Sequence, residues 1–229
     1  MRLKSTGLQV LLGILLSGCG PSAAPLPPKL TLHQAAVFHP DQISRLVAEG
    51  ANVDGLDSDG NSPLWVAVRF SNPEGVKCLL AARADANARG GMDWTPLHCL
   101  SFCEPDIATA RLLIQHGADP NAVESRYGQT PLHYAVRVTH SPLLVKLLID
   151  AGANVNAVAL DGDTPLQFAV AGGHSEIADI LLSAGADPEL KNQVGFRPID
   201  QLNACPDPKA IQAVFRIHDA DDQRNPKFQ

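Results

Sequence analysis

The chain has 229 residues, 45% hydrophobic, 5% aromatic and 18% charged, a balance that excludes a collagen-like or intrinsically disordered polypeptide. Its 18 basic and 24 acidic side chains leave a net charge of −6, so no overall basic field exists to hold a phosphate backbone, and nucleic acid is not an expected partner. With 18 Gly and 18 Pro against few bulky aromatic residues, the composition predicts many small stacked units rather than one large core.

The chain opens with Arg2 and Lys4, continues through an apolar stretch from Leu8 to Leu16, and reaches Ser17, Gly18 and Cys19, the layout of a secretory signal peptide over residues 1–18. The apolar run is about half of the roughly 20 residues that a membrane-spanning helix needs. Leu16-Ser17-Gly18-Cys19 resembles the bacterial lipobox, which implies cleavage before Cys19 and attachment of lipid to it. Each acyl methylene buried in the bilayer contributes about 0.8 kcal/mol, so several chains would tether the protein to a membrane without embedding it. Gly20 stands where Gram-negative lipoproteins retained in the inner membrane commonly carry Asp. The resemblance therefore implies an outer-membrane anchor; the face is not encoded in these residues, and the periplasmic side is the expected one. Residues 19–29, which include Pro21, Pro25, Pro27 and Pro28, read as an extended spacer. Without Arg2 and Lys4 the balance becomes 16 basic against 24 acidic side chains, or −8.

Beyond the spacer the chain repeats itself. NSPLWVAV, DWTPLHCL, GQTPLHYAV, GDTPLQFAV and GFRPIDQL align on Pro63, Pro96, Pro131, Pro165 and Pro198, at spacings of 33, 35, 34 and 33 residues. A second element recurs between them as EGANVD, ARADAN, HGADPN, AGANVN and AGADPE. Together these segments resemble the ankyrin repeat, with its period of about 33 residues and its Thr-Pro-Leu-His and Gly-Ala-Asp signatures. The resemblance covers residues 30–218, including an incomplete first copy in which Thr31 takes the proline position. It implies an all-α solenoid of helix-turn-helix units with short β-hairpin tips, about six units counting degenerate caps. Residues 219–229 read as a polar, frayed tail.

Each copy carries its own folding signals. Thr95, Thr130 and Thr164, with Ser62 as a substitute, precede prolines. That pairing starts a helix, because the hydroxyl accepts from a free backbone N–H and proline at the first helical position has none to leave unpaired. The second helices show apolar residues at helical spacing, such as Ile177, Ile180, Leu181 and Leu182, so each buries one face against a neighbouring unit. Gly50, Gly117, Gly152 and Gly185 stand just past those helices, where a left-handed residue closes the last turn. Arg83 takes this place in the second unit, either at a cost of roughly 1 kcal/mol or with a remodelled turn. Units three and four carry one extra residue between their helices, in loops that include Pro105 and Pro142, and the tip around Tyr127 is one residue longer than its counterparts.

Eight His and five Cys call for a test of metal and nucleophile chemistry. By the resemblance, His33, His98 and His133 hydrogen-bond between a helix start and the neighbouring tip. His174 reads as a helix-start residue, and His39, His116, His140 and His218 read as isolated. The chain contains no HExxH, CxxC, GxSxG or phosphate loop, so no catalytic residue, metal site or cofactor is expected and the chain reads as a non-enzyme. Cys78 reads as a small core residue. At most one intramolecular disulfide is expected, joining two of Cys78, Cys99 and Cys103, because Cys205 lies three units away. The reading from a different class is a redox or stress-protective factor using Cys99 and Cys103 beside His98.

Ankyrin domains usually bind proteins on their concave side, through the tips and the exposed ends of the first helices. Carried onto this sequence, that designates Trp94, Tyr127, Arg126, Arg137, Arg69, Phe70 and Phe102 as protein-binding, with Asp59, Asp161 and Asp163 set to complement a basic partner. Trp, Tyr and Arg dominate interface hot spots. Trp65 and Tyr134 stay divided between packing and binding. The expected function is a lipid-anchored scaffold or inhibitor of another protein at the bacterial cell envelope. An immunity protein that neutralises a periplasm-acting toxin is the alternative within the same fold.

Overall fold

The computed structural model describes residues 30–102 and 106–224; the leader, Cys19, the spacer, Cys103 and Pro105 lie outside them. The described residues from Thr31 onward form one compact unit. It is a series of helix pairs: α1 (Leu32–Phe38) with α2 (Ile43–Ala48), α3 (Pro63–Arg69) with α4 (Pro73–Ala81), and α5 (Pro96–Cys99) with α6 (Ile107–Gln115). These are followed by α7 (Pro131–Tyr134) with α8 (Pro142–Asp150), α9 (Pro165–Gly172) with α10 (Ser175–Ser183), and a 3-10 segment (Pro198–Ala204) with α11 (Pro208–Arg224). First helices pack on first helices and second helices on second helices along the series, which is how a unit too small to own a core obtains one. The leucine after each helix-opening proline, Leu64, Leu97, Leu132 and Leu166, is buried in that stack. No helix among the described residues is long and apolar enough to cross a membrane.

The helix starts follow the Thr-Pro chemistry. Ser62 and Thr164 accept from the N–H groups of Trp65 and Gln167, and Thr95 and Thr130 form capping boxes with His98 and His133. At the helix ends Gly50, Gly117, Gly152 and Gly185 are left-handed, with φ of 94°, 87°, 90° and 88°. Arg83 takes the same conformation at φ 65°, and its neighbour still closes the turn through Ala84 N–H to Leu79 carbonyl, 3.0 Å. Arg83→Gly is therefore expected to stabilise the chain by about 1 kcal/mol, because the left-handed Cβ penalty of ~1–2 kcal/mol exceeds the entropy that glycine adds to the unfolded chain. Thermal melting should show a rise of about 2–4 °C; a fall would mean that the Arg83 side chain contributes more than its backbone costs.

An Asn ladder joins the units along the base of the tips. The Oδ1 atoms of Asn87, Asn121 and Asn156 accept from the backbone N–H of Asp119, Asn154 and Asp187 at 2.7, 2.7 and 2.8 Å. Their amide nitrogens donate to the carbonyls of Gly117, Gly152 and Gly185 at 2.9, 2.9 and 3.1 Å. Each amide thus satisfies the capping turn of the next unit, a role not drawn from the sequence although all three residues lie in the recurring segments.

Four expectations need correction. The tips carry no β-strands: among the described residues the only strand-like pairing is an isolated bridge between Gly90 and Trp94, and each tip is a turn closed by two backbone bonds, such as Asp57 N–H to Asn61 carbonyl and Gly60 N–H to Asp57 carbonyl, both 3.0 Å. The extra residue of the fourth unit is absorbed inside its first helix, where Ala135–Thr139 is π-helical and ends on left-handed His140. Pro142 accordingly lies in no loop but opens α8 at the first position. Finally, α11 continues to Arg224, so residues 219–224 are helical rather than frayed. The longer tip around Tyr127 is present, closed from Glu124 to Gln129 where the others close over one residue fewer.

Trp65 occupies the His position of its unit, and its ring lies against the backbone of Gly90, where a Cβ would stand 2.5 Å from the indole. Gly90→Ala is expected to cost about 2–3 kcal/mol through overpacking. Pairing it with Trp65→His should recover most of that loss in urea denaturation; no recovery would place the clash elsewhere.

Candidate protein-binding face

The tip leading into α7 is anchored from inside. Glu124 is fully buried, and its carboxylate accepts from the backbone N–H of Arg126, Tyr127 and Gln129 at 2.7, 2.8 and 3.1 Å. Asp57 does the same in the first tip, accepting from Asp59 and Asn61 at 2.9 Å each. The later loop is one residue longer and its acid one methylene longer, so the carboxylate still reaches the amides. With Glu124 occupied by the backbone, the side chains of Arg126 and Tyr127 are left on the surface.

Behind this tip lies an aromatic cluster with cations laid over it. Trp94 stacks on Phe102 with centroids 4.4 Å apart, and both rings meet Tyr134, at 5.3 and 5.5 Å. The Arg137 guanidinium lies 5.2 Å from the Tyr134 ring, 5.7 Å from Phe168 and 5.9 Å from Tyr127, and Arg126 covers Tyr127 at 5.1 Å. Such contacts hold a guanidinium by its face while its edge N–H groups stay available. Burial pushes the Tyr134 hydroxyl above the ordinary phenol range, with Glu124 acting in the same sense and Arg137 against it.

Of the residues expected on the binding face, the structure brings together Arg126, Tyr127, Arg137, Phe102 and Trp94. Trp94 is a correction: only 8% exposed, it packs against Phe102 instead of projecting from the tip, because Phe102 and Tyr134 take up its ring. Tyr134, at 1% exposure, is also a packing residue. Tyr127 and Phe102 remain 43% and 38% exposed. Arg69 and Phe70 are exposed at the end of α3, outside this cluster. Among the acids, Asp161 accepts from Asp163 N–H at 3.1 Å and Asp163 from Asn192 Nδ2 at 2.8 Å, so both are engaged within the tips, whereas Asp59 is exposed.

The histidines of the repeat are structural. Nδ1 of His98 accepts from Thr95 N–H at 3.3 Å, and its Nε2 contacts the Gln129 carbonyl at 3.1 Å; His133 does likewise with Thr130 N–H at 3.1 Å and the Asp163 carbonyl at 3.3 Å. A backbone N–H can only donate, so Nδ1 is unprotonated and the ring neutral, with its proton on Nε2. Burial lowers both rings to about 4. Gln167 performs the same task with an amide, accepting from Thr164 N–H at 2.7 Å and donating to the Phe196 carbonyl at 2.8 Å. Three histidines read as isolated have partners: His116 Nδ1 contacts the Leu112 carbonyl at 2.9 Å, His140 lies 4.0 Å from the His174 ring, and His218 bonds Asp179 at 2.9 Å.

With both ring nitrogens engaged, His98 is not placed to serve a neighbouring thiol as a base. Cys99 is fully buried, and Cys103 lies outside the described residues. Cys78 and Cys205 are unbridged, which removes Cys78 from the disulfide alternatives. Burial pushes the Cys78 thiol up, helped by Glu74 and Asp41, away from the reactive thiolate form. No group of three metal-ligating side chains occurs among the described residues.

Residues 32–124 and 97–192 match the sequence family described as "Ankyrin repeats (3 copies)". The chain belongs to the ankyrin-repeat family. This ankyrin-repeat protein is 33% identical over 172 residues to the nuclear factor NF-kappa-B p105 subunit of Gallus gallus, covering 73% of the chain and 17% of that protein. To the B-cell lymphoma 3 protein homolog of Mus musculus it is 33% identical over 168 residues, covering 70% and 37%. It thus spans well under half the length of these relatives. Among solved structures, the ankyrin repeat domain of Bcl-3 superimposes with a TM-score of 0.71 at 31% identity, covering 81% of each chain. An ankyrin repeat domain from Acinetobacter baumannii gives 0.75 at 29% identity, covering 82% of this chain and 97% of the other. Ankyrin-repeat domains are protein–protein interaction modules and in general non-catalytic, and the fold and family place this chain among them.

Proposed function

We propose that this protein binds another protein through the face formed by its first-helix ends and tips, the concave side of the repeat stack, and does so as a lipoprotein at the bacterial cell envelope. The observation that carries the binding site is the exposed Tyr127 ring between the Arg126 and Arg137 guanidiniums, a concentration of the residue types that supply most interface energy. The anchor rests on the leader sequence ending Leu16-Ser17-Gly18-Cys19, with the outer membrane following from Gly20 and the periplasm-facing position proposed beside it.

Capture from envelope extract by the wild-type chain, compared with a Tyr127→Ala, Arg137→Ala variant of unchanged helicity, tests the site. A partner retained equally by both would place binding elsewhere. Labelled palmitate should enter the wild type and not Cys19→Ser; equal incorporation, or none, would remove the anchor.

A further inference from the structure

The first helices present one position to the surface in a regular order. Seven residues beyond the helix-capping residues Thr31, Ser62, Thr95 and Thr130 stand Phe38, Arg69, Phe102 and Arg137. All four are exposed, Phe38 at 55% and Phe102 at 38%. Aromatic and cation therefore alternate across four consecutive units at one register. The ion pairs among the described residues involve Arg45, Lys77, Arg89, Arg197 and His218, so neither Arg69 nor Arg137 is matched by an acid among the described residues. The fifth unit breaks the pattern with Ala171.

Packed helices stand about 8–10 Å apart, and a polyproline II segment advances about 3.1 Å per residue with three residues per turn, so a segment of that kind crossing the row moves roughly three residues per unit and returns every third side chain to the same face. We infer that the row takes an extended acidic segment of the protein partner, with an apolar side chain and an Asp or Glu alternating every third residue. Apolar side chains meet Phe38 and Phe102, and carboxylates meet the guanidiniums of Arg69 and Arg137. Charge complementarity chooses this occupant: two guanidiniums unmatched among the described residues lie on a chain whose net charge is −6, and the nearby acid Glu124 is turned inward on backbone amides. This inference rests on the protein-binding role proposed above and names its partner's chemistry.

The test uses fluorescence anisotropy with the whole chain and the labelled probe Leu-Ser-Ser-Glu-Ser-Ser-Leu-Ser-Ser-Glu-Ser-Ser-Leu, which reads alike in both chain directions. The wild type should bind it more weakly as salt rises. Shuffling the spacing at constant composition, or replacing Glu by Lys, should weaken binding about tenfold or more, as expected when two charge-assisted contacts are lost. Arg69→Glu with Arg137→Glu, checked for unchanged helicity, should lose the Glu probe and take the Lys probe. No binding by the wild type, indifference to spacing or charge, or stronger binding of a single-stranded oligonucleotide would overturn the inference. Those results combined with intact Tyr127-dependent capture of a protein would remove the acidic segment alone and leave the binding role standing.

Discussion

Lowering the pH from 6.5 to 4 is expected to destabilise this protein by roughly 5 kcal/mol through His98 and His133 alone, about 2.5 kcal/mol for each ring. Both are held near 4 by burial, whereas the unfolded chain takes up protons from 6.5 downward. In that window the unfolded state binds more protons, so stability is complete above 6.5 and drains away as the pH falls toward 4. His174, lowered by burial and by His140, acts in the same direction. Asp200, lowered by its bonds to Arg197, contributes stability that is lost only at still lower pH. Gln167 supplies the control, because it makes the same two contacts without a titrating group. Urea denaturation of His98→Gln, His133→Gln should therefore show a much flatter dependence between pH 6.5 and 4. A slope equal to that of the wild type would mean that these rings are not the source of the acid sensitivity.

Glu124→Ala is expected to cost about 4 kcal/mol, since it leaves three backbone N–H groups beneath the tip without the charged acceptor they share. Glu124→Gln keeps one acceptor oxygen but brings N–H donors into a site already lined by donors, so its cost should be nearly as large. The damage should be local before it is global: amide exchange at Arg126, Tyr127 and Gln129, which donate to this carboxylate, should accelerate more than at Asp59 and Asn61, which donate to Asp57. Because the same tip carries Arg126 and Tyr127, partner binding should fall with it. A loss under about 1 kcal/mol in denaturant, with unchanged exchange, would show that water replaces the carboxylate without penalty.

Local chemistry in this chain is legible because it acts within a few residues. A Thr before Pro caps a helix whatever surrounds it, a glycine past a helix end turns left-handed, and a period of about 33 residues forces stacking. The number of units, the helix starts and the longer tip at Tyr127 all follow from such short-range rules, whereas at Arg83 they left a left-handed residue and a remodelled turn both open, and the former is present. Where the rules ran out, the cause was choice among equivalent local solutions. One extra residue between two helices can lengthen a loop or be absorbed as a π-turn, and Ala135–Thr139 takes the latter form.

The binding face shows the same division. Its residue types and their repeat positions are written in the linear order, including the alternation of Phe38, Arg69, Phe102 and Arg137. Their orientation is not, because a side chain at a turn can face solvent or the neighbouring unit with the same backbone sequence. Trp94 went inward because Phe102 and Tyr134, eight and forty residues away along the chain, together offered its ring a stacked face and an edge. Glu124 went inward because three amides converged on it. Period, caps and composition determine that this chain stacks; contacts between units, which no local pattern encodes, decide which aromatic rings become core and which remain for a partner.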